Sequence, residues 1–345
     1  MHQRLDRFTK APKLEHLRRL TTDFGIIQHA DLSEPNPKFG YSIDDQARAL
    51  IVCLWYAKSF SQETVADLLP IYFRFLEQAQ TETGDFHNFY GINQQPLDDT
   101  GSPDSFGRTL WALAETTTLS KDPTLISRAN KLLAAANSQQ HLKHRHLRTR
   151  AYLALAYASL GDHTNLKIWA DELIKMLNSN ATPDWYWFEH ELIYCNAIPV
   201  YALACAYEVT GHQRYLTEAK KTFTWLDQTS RIDGIVAPIG QDGWYHQTGD
   251  KAHYDQQPVD AAKMVMAALK IYQLTNDNQL LTKALEWFDW YSGKNTQKHS
   301  LVDASSGGIY DALTPTGVNQ NEGAESIVTY LMAYLELSAL VANKA

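Results

Sequence analysis

Residues 321–342, NEGAESIVTYLMAYLELSALVA, begin with a cluster of polar side chains and continue as a long run of apolar and small residues. The apolar residues recur at helical spacing, so the stretch predicts a helix that is buried on most of its surface. Its polar residues would then lie at the helix N-terminus. Stretches with this pattern are interpreted as six inner helices: 43–58, 104–117, 147–160, 188–209, 256–274 and 321–342.

Ordinary amphipathic segments lie between these stretches and are interpreted as outer helices. Strict alternation of the two kinds predicts six helical hairpins closed into a ring, the all-α (α/α)6 toroid, with the N-terminal ends of the inner helices on one face. An open α-solenoid contains the same hairpins, but its repeats usually recur at a fixed period, and the inner starts are unevenly spaced. The outer helices are predicted near 11–20, 62–79, 123–136, 163–178, 212–228 and 278–292.

The whole chain, 1–345, is interpreted as a single toroid domain, because no long Pro- or Ser-rich linker interrupts the helical pattern. The longest predicted connections, 80–103, 229–255 and 293–320, precede inner helices, and loops of this length in a compact domain are usually functional. Residues 234–258 are rich in Gly and aromatics and predict a small β-hairpin over the cleft.

Composition excludes several classes of partner. A net charge of −8 gives no basic surface for nucleic acid or for an anionic membrane. No apolar run approaches the roughly 18 residues of a membrane span, and the first residues lack a signal-peptide core. Cys53, Cys195 and Cys205 lie in apolar helical stretches without metal-ligand spacing, which predicts buried free thiols rather than disulfides. We therefore expect a cytoplasmic protein that binds no metal and no cofactor.

Aromatic residues make up 11% of the chain, and several lie in polar loops. Flat aromatic faces stack on sugars while carboxylates and amides bind hydroxyl groups, so the pattern favours an oligosaccharide ligand. The first polar cluster, GYSIDDQAR, contains Asp44, Asp45 and Arg48. One Asp suffices to cap the helix, so the second, with Arg48 one turn later, suggests a carboxylate positioned by a guanidinium.

The second cluster contains Asp98, Asp99, Asp104 and Arg108. Asp104 fits the first turn of a helix that begins near Pro103, but capping does not explain the adjacent pair Asp98–Asp99. The third cluster is a basic segment with His144, Arg145, His146, Arg148 and Arg150. Most charge runs are solvated surfaces, yet this one could instead bind phosphate or a sugar acid.

The fourth cluster places Trp185, Tyr186 and Trp187 directly before Glu189 and His190. It predicts an aromatic platform beside a carboxylate at a helix start, although a buried Trp pair with a capping Glu remains the alternative. The last two clusters precede the fifth and sixth inner helices and resemble surfaces that bind hydroxyl groups. They contain Trp244, Tyr245, His246, Tyr254, Asp255, Gln256, Gln257, Asn321 and Glu325.

The motifs GYSIDDQARAL, LDDTGSPDSFGRTLWAL, WFEHELIYCNAIP, PIGQDGWY, DQQPVDA and NQNEGAES, in this order, resemble a bacterial family whose members look like six-hairpin glycosidases. The resemblance covers about residues 12–340. It implies a carbohydrate-active fold and an association with glycosyltransferases and mannoside phosphorylases, and it supplies no established catalytic pair. Gln46 stands where the family pattern has Asn after the paired Asp.

Glycoside hydrolysis on a mannoside or glucoside is the leading hypothesis, because one carboxylic acid can protonate the leaving oxygen while a second carboxylate activates water or attacks. Flanking Trp residues are expected to desolvate Glu189 and raise its pKa, which favours it as the acid. Asp45 and Asp99 are the candidates for base or nucleophile, with Glu325 in reserve. The remaining candidates orient these groups or bind the sugar.

Three alternatives remain open at this stage. Phosphorolysis would use the basic segment. Sugar epimerisation would use bases on both faces of a ring-opened sugar, from His144, His146, His190, His246 and His253. A non-catalytic carbohydrate-binding partner of a glycosyltransferase would present the same toroid and cleft.

Overall fold

The computed structural model describes residues 2–137 and 146–342. Two kinds of helix alternate along the chain, as the sequence predicts. The inner helices are α3 (Ile43–Ser59), α5 (Pro103–Leu119), α7 (Leu147–Leu160), α9 (Ile198–Thr210), α11 (Pro258–Thr275) and α13 (Ala324–Ala342). The outer helices are α2 (Glu15–Leu20), α4 (Leu68–Ala79), α6 (Pro123–Ala136), α8 (His163–Asn180), α10 (Gln213–Thr229) and α12 (Asn278–Asp289), and a short helix, α1 (His2–Leu5), precedes them.

The inner helices form a closed ring. Each packs against the next, and α13 packs against α3. Five outer helices pack on the inner helix that precedes them, whereas α2 packs on α13 and so joins the two ends of the chain. Closure decides between the toroid and the open solenoid, and the (α/α)6 toroid is the observed fold.

Burial explains the two compositions. The inner helices are surrounded on both sides by neighbours in the ring and on the outside by an outer helix, so their residues are apolar or small on nearly every face. The outer helices bury one stripe each. Asp122, Asp162 and Asp277 cap α6, α8 and α12 by accepting backbone N–H groups in the first turn.

One helix, Ala324–Ala342, is long and apolar enough to cross a membrane by length and composition alone. The sequence-based statement that no run approaches this limit is therefore wrong. The helix is α13 of the inner ring, and 67% of its apolar window is buried inside the protein. Core packing accounts for its composition. The three cysteines are free and buried, which agrees with their predicted state.

The strands are short and lie in the connections. They pair antiparallel as β1 (Ala30–Asp31) with β2 (Glu34–Pro35), β3 (Tyr41–Ser42) with β4 (Phe89–Tyr90), β5 (Glu191–Leu192) with β8 (Tyr245–His246), β6 (Arg231–Ile232) with β7 (Ile235–Val236), and β9 (Ala312–Thr314) with β10 (Gly317–Asn319). The prediction of a small β-hairpin in the long connections is confirmed by β6–β7 within 229–255 and by β9–β10 within 293–320. Within 234–258 itself, β7 pairs back to β6, and β8 pairs with β5 from another loop.

The predicted inner helix 188–209 is wrong at its start, because α9 begins only at Ile198. Glu191–Leu192 pairs with Tyr245–His246, which holds the preceding backbone extended. Cys195 then adopts a left-handed conformation with φ 55°, and Pro199 occupies the first helical turn. Glu189 therefore lies in an irregular segment before the helix rather than on it.

Candidate active site

A cleft of 460 Å³ opens at the N-terminal ends of α3, α11 and α13, and loops preceding these helices complete its wall. Three of the six inner helix starts therefore line it. Seven residues predicted from the sequence lie in the lining: Asp44, Asp45, Arg48, Asp255, Gln257, Asn321 and Glu325.

Arg48 connects two carboxyl groups in this cleft. Its Nη1 donates to Asp45 Oδ1 at 3.1 Å, and its Nη2 lies 2.7 Å from Glu325 Oε2. Because one guanidinium contacts both, the two carboxyl groups lie within about 8 Å of each other. We call this arrangement the Asp45–Arg48–Glu325 group.

The two carboxyl groups differ in their environment. Asp45 is 3% exposed and lies in the first turn of α3, where Ser42 caps the helix and its hydroxyl donates to Asp45 Oδ2 at 3.2 Å. Burial raises the pKa of Asp45 to about 7, opposed by Arg48 and assisted by the charge of Glu325. The side chain of Glu325 is 38% exposed. At neutral pH, Asp45 can therefore hold a proton beside a carboxylate that water can reach.

Asp44 is held by a second arginine. Arg108, from α5, is buried and donates to both Asp44 Oδ1 and the hydroxyl of Tyr152. Arg108 itself is not in the cleft lining and contacts Asp44 from the protein interior. The predicted pairing of Arg48 with Asp45 is present in the structure. The pairing of Arg108 with Asp44 is not predicted from the sequence.

A second polar cluster lies at the starts of α5 and α7, outside the cleft lining. Asp104 accepts from Arg148 Nε at 3.2 Å, from Thr149 at 3.0 Å and from Tyr194 at 3.2 Å. Glu189 lies 3.8 Å from Arg148, and burial raises its pKa. The structure thus supports the predicted rise in the pKa of Glu189. Its carboxyl group, however, lies beside Arg148 rather than beside Asp45 and Glu325.

Asp260 is a buried carboxyl group that the sequence analysis does not single out. Its Oδ1 accepts the backbone N–H of Asn196 at 2.9 Å and the Asn196 amide at 3.2 Å, while its Oδ2 is buried without a partner. Burial raises the pKa of Asp260 to about 7. The charge of Glu325 also raises this pKa, whereas the charge of Arg148 lowers it. Asp260 therefore lies between the two clusters.

The predicted aromatic platform of Trp185 and Trp187 is wrong. Both indoles are buried, and both pack on Trp225, with ring centroids 5.0 and 5.8 Å away. Trp185 also donates to the backbone oxygen of Glu189 at 2.6 Å. These rings stabilise the segment before α9 and have no free face for a sugar.

Two exposed phenylalanines line the cleft instead. Phe39 is 51% exposed and Phe89 is 40% exposed, and both belong to its wall. The ring of His29, also in the lining, contacts Phe39 edge-on at 4.8 Å between centroids. A large apolar side chain exposed in the loop NPKFG is the signal that could have identified Phe39.

The remaining aromatic and polar candidates of 244–256 lie away from the lining. Tyr245 packs on Trp185, and Gln256 is fully buried, donating to His253 O at 2.8 Å and accepting from Trp290 at 3.0 Å. Their hydrogen-bonding or stacking capacity is thus used within the protein. Trp244, His246 and Tyr254 are likewise absent from the lining, and Tyr254 accepts from Gln297.

Asp99 and His190 are exposed and are also absent from the lining, so the structure does not bring them to the other candidates. Asp98 accepts backbone N–H groups of Asn88 and Phe89, so its carboxylate stabilises the loop. His190 contacts Gln247 at 2.8 Å.

The basic segment gives no support to phosphate binding in its described part. Arg148 is paired with Asp104, and Arg150 lies 3.4 Å from Glu172. Neither arginine lines the cleft. His144 and Arg145 lie outside the described residues.

The cleft contains further residues that sequence reasoning missed. Asp311 accepts from the Gly323 N–H at 2.8 Å and from Ser326 at 2.6 Å, and a Cβ on Gly323 would lie 3.1 Å from its Oδ1. The loops that carry these residues have no periodic pattern. Other missed lining residues that bear polar groups are Gln28, His29, Asp31 and Gln241, whereas Asn319 belongs to the sixth polar cluster of the sequence and does line the cleft.

Gln46, the departure from the family pattern, does not line the cleft. It is fully buried, accepts the Ile26 N–H at 2.9 Å and donates to Ile26 O at 2.8 Å. These two hydrogen bonds hold the loop around Ile26 against α3. Within residues 2–137 and 146–342, no three His, Cys, Asp or Glu side chains are grouped to hold a metal ion.

Solved structures share this fold along nearly the whole chain. A cellobiose 2-epimerase from Bacillus thermoamylovorans is 13% identical with a TM-score of 0.77, covering 99% of this chain and 100% of that one. A D-mannose isomerase is 14% identical with a TM-score of 0.77, covering 99% and 98%. A family 76 glycoside hydrolase, a mannosidase from Bacteroides thetaiotaomicron, is 10% identical with a TM-score of 0.67, covering 99% of each chain. No protein-family model and no curated protein sequence matches the chain.

Proposed function

We propose that this protein is a carbohydrate-active enzyme that hydrolyses a glycosidic bond, with Asp45 as general acid and Glu325 as base or nucleophile. The observation that carries the proposal is the Asp45–Arg48–Glu325 group. It places a carboxyl group that can be protonated at neutral pH and a solvent-accessible carboxylate on one arginine, inside a cleft.

These two groups match the chemical needs of the reaction. The leaving oxygen needs a proton donor whose pKa lies near the working pH, and burial gives Asp45 that property. The anomeric carbon needs an ionised carboxylate, either to activate water or to attack directly. A separation within about 8 Å is compatible with both retaining and inverting mechanisms, so the stereochemical outcome stays open.

The rest of the cleft supports sugar binding. Phe39 and Phe89 supply apolar faces for the C–H face of a sugar ring. Asp255, Gln257 and Asn321 supply carboxylate and amide groups for hydroxyl groups. A volume of 460 Å³ suits a mono- or disaccharide unit.

Epimerisation is less well supported by these residues. Among the described residues, His29 is the one histidine in the cleft lining, whereas His190 and His246 are exposed outside it. The described part of the chain therefore supplies one imidazole to the cleft lining rather than two on opposite walls. The similar epimerase and isomerase structures nevertheless make this reaction the necessary comparison. Association with a glycosyltransferase and a cytoplasmic location stay predictions.

The test is turnover of α- and β-mannosides and glucosides, with and without inorganic phosphate, and with reducing sugars in heavy water. We expect phosphate-independent hydrolysis that falls about 10²- to 10⁴-fold in Asp45→Asn and in Glu325→Gln. Asp23→Asn and Glu63→Gln, which change exposed carboxylates elsewhere, are the matched controls.

Three results would replace the proposal. Phosphate-dependent cleavage indicates a phosphorylase, and deuterium incorporation at the sugar C2 without hydrolysis indicates an epimerase. Oligosaccharide binding without turnover of any substrate indicates a binding protein. Loss of hydrolysis in Glu189→Gln, with full activity in Asp45→Asn, would return the acid role to the second cluster.

A further inference from the structure

A second cavity, of 680 Å³, opens at the opposite end of the toroid from the cleft. All six inner helices line it with residues near their C-terminal ends, and none of its lining residues belongs to the cleft. We call it the lower cavity. Its size is sufficient for a small organic ligand.

Two carboxylates of the lower cavity have no cationic side chain in direct contact. Glu115 accepts from Trp55 Nε1 at 2.7 Å and from the Ser159 hydroxyl, and Glu336 accepts from the Tyr201 hydroxyl at 2.9 Å. In the part of the chain that the structure describes, no Lys, Arg or His nitrogen lies within 4.0 Å of either carboxylate. Lys270 and Lys58 act on Glu336 from further away. The lining nevertheless contains three carboxylates, Glu115, Glu208 and Glu336, against these two lysines, so it keeps a net negative charge.

Aromatic rings form the wall beside these carboxylates. Trp55 meets Trp111 edge-on, with centroids 6.0 Å apart at 68°, and Trp111 and Tyr201 are 6.5 Å apart at 57°. Trp55 is only partly buried. Rings set at angles around a carboxylate-bearing hollow are the arrangement that binds ammonium groups, because the negative faces of the rings attract a cation.

The helix ends add to the negative potential. Each inner helix directs its C-terminal carbonyl groups, with roughly half a negative charge, towards this end of the ring. Of the six inner helices, only α3 carries a basic residue in its last turn, Lys58, which is exposed. The other lysine of the lining, Lys270, pairs with Glu208 at 3.1 Å and also opposes the rise that burial causes in the pKa of Glu336.

We propose that the lower cavity binds a small organic ammonium ion, with its charge between Glu115 and Glu336 and its apolar part against Trp55. The site is separate from the cleft and does not depend on the activity proposed for it. A neutral molecule of the same size lacks the attraction to the two carboxylates and binds at least tenfold more weakly.

The test is isothermal titration calorimetry of the full chain at low salt with choline, 1,4-diaminobutane and the neutral 1,4-butanediol. We expect at least one of the two cations to bind and the diol not to bind. Glu336→Gln and Trp55→Leu each weaken cation binding about tenfold, whereas Glu63→Gln, which removes an exposed charge elsewhere, does not. Raising the salt concentration to 0.5 M weakens binding to the wild-type protein several-fold.

The folding of each variant is checked by circular dichroism. Glu336→Gln removes a charge and Trp55→Leu removes an aromatic ring, so if one variant misfolds the other still tests the proposal. Failure of both cations to bind overturns the proposal. Equal binding of the diol overturns it too, as does cation binding that the folded variants and salt leave unchanged.

Discussion

Replacing Glu325 by Gln should lower the pKa of Asp45. The charge of Glu325 helps to keep that pKa near 7, and Arg48 contacts both groups at 3.1 and 2.7 Å. Two charges about 7 Å apart at an effective dielectric of 20 interact by about 2 kcal/mol. Because Glu325 is 38% exposed, solvent screening reduces this to about 1 kcal/mol, which corresponds to a decrease of about one pH unit.

The assay is ¹³C NMR titration of aspartate carboxyl groups, with the Asp45 signal assigned by its loss in Asp45→Asn. The midpoint near pH 7 in the wild type should fall towards 6 in Glu325→Gln, while Glu63→Gln leaves it unchanged. A wild-type midpoint near 4 would refute the protonated Asp45. A midpoint that does not respond to Glu325→Gln would refute the coupling through Arg48, and with it the basis for assigning these two residues as a pair.

Three further predictions concern stability and binding. Asp260 has a folded-state pKa of about 7 against 3.8 in the unfolded chain, so the folded state binds more protons between these values and loses stability as pH rises through them. The free energy of unfolding of Asp260→Asn, relative to that of the wild type, should therefore rise by up to about 4 kcal/mol between pH 4 and pH 8, as measured by urea unfolding. An equal difference at both pH values would contradict the raised pKa. Phe39→Ala should raise KM with little change in kcat, since the exposed ring contributes binding surface only, and unchanged kinetics would remove it from the site. Trp187→Ala should lower the free energy of unfolding by about 3–5 kcal/mol because the indole is fully buried, whereas a stable variant with weakened sugar binding would restore its predicted role.

The alternation of inner and outer helices could be predicted from sequence because it is a local property. An inner helix such as α13 is apolar on nearly every face, while an outer helix such as α8 is apolar on one stripe, and each pattern is complete within its own segment. The start of α9 could not be predicted in this way. It depends on the pairing of Glu191–Leu192 with Tyr245–His246, strands that are far apart in the sequence.

The candidate site could be predicted where its residues stand at helix starts, and much less where they stand in loops. Asp45 and Glu325 lie in the first turns of their helices and Arg48 lies one turn after Asp45, so the sequence pattern identifies all three. Asp311 lies in a loop whose path the sequence pattern does not define. The Trp185 and Trp187 error has the same origin, since Asp184 and Glu189 flank the aromatic run in the sequence, and the ring that packs on both indoles, Trp225, comes from α10.

Burial outweighs the helix dipole in setting the charge of the site. Asp45 and Asp260 both lie in the first turn of an inner helix, where the dipole stabilises the ionised form by typically 0.3–1 kcal/mol. Their pKa values of about 7 instead correspond to about 4 kcal/mol in favour of the protonated form. An isolated helix would leave both groups in water and ionised. Closure of the ring removes that water, so the same architecture that brings the helix starts together also supplies a protonated carboxyl group to the cleft.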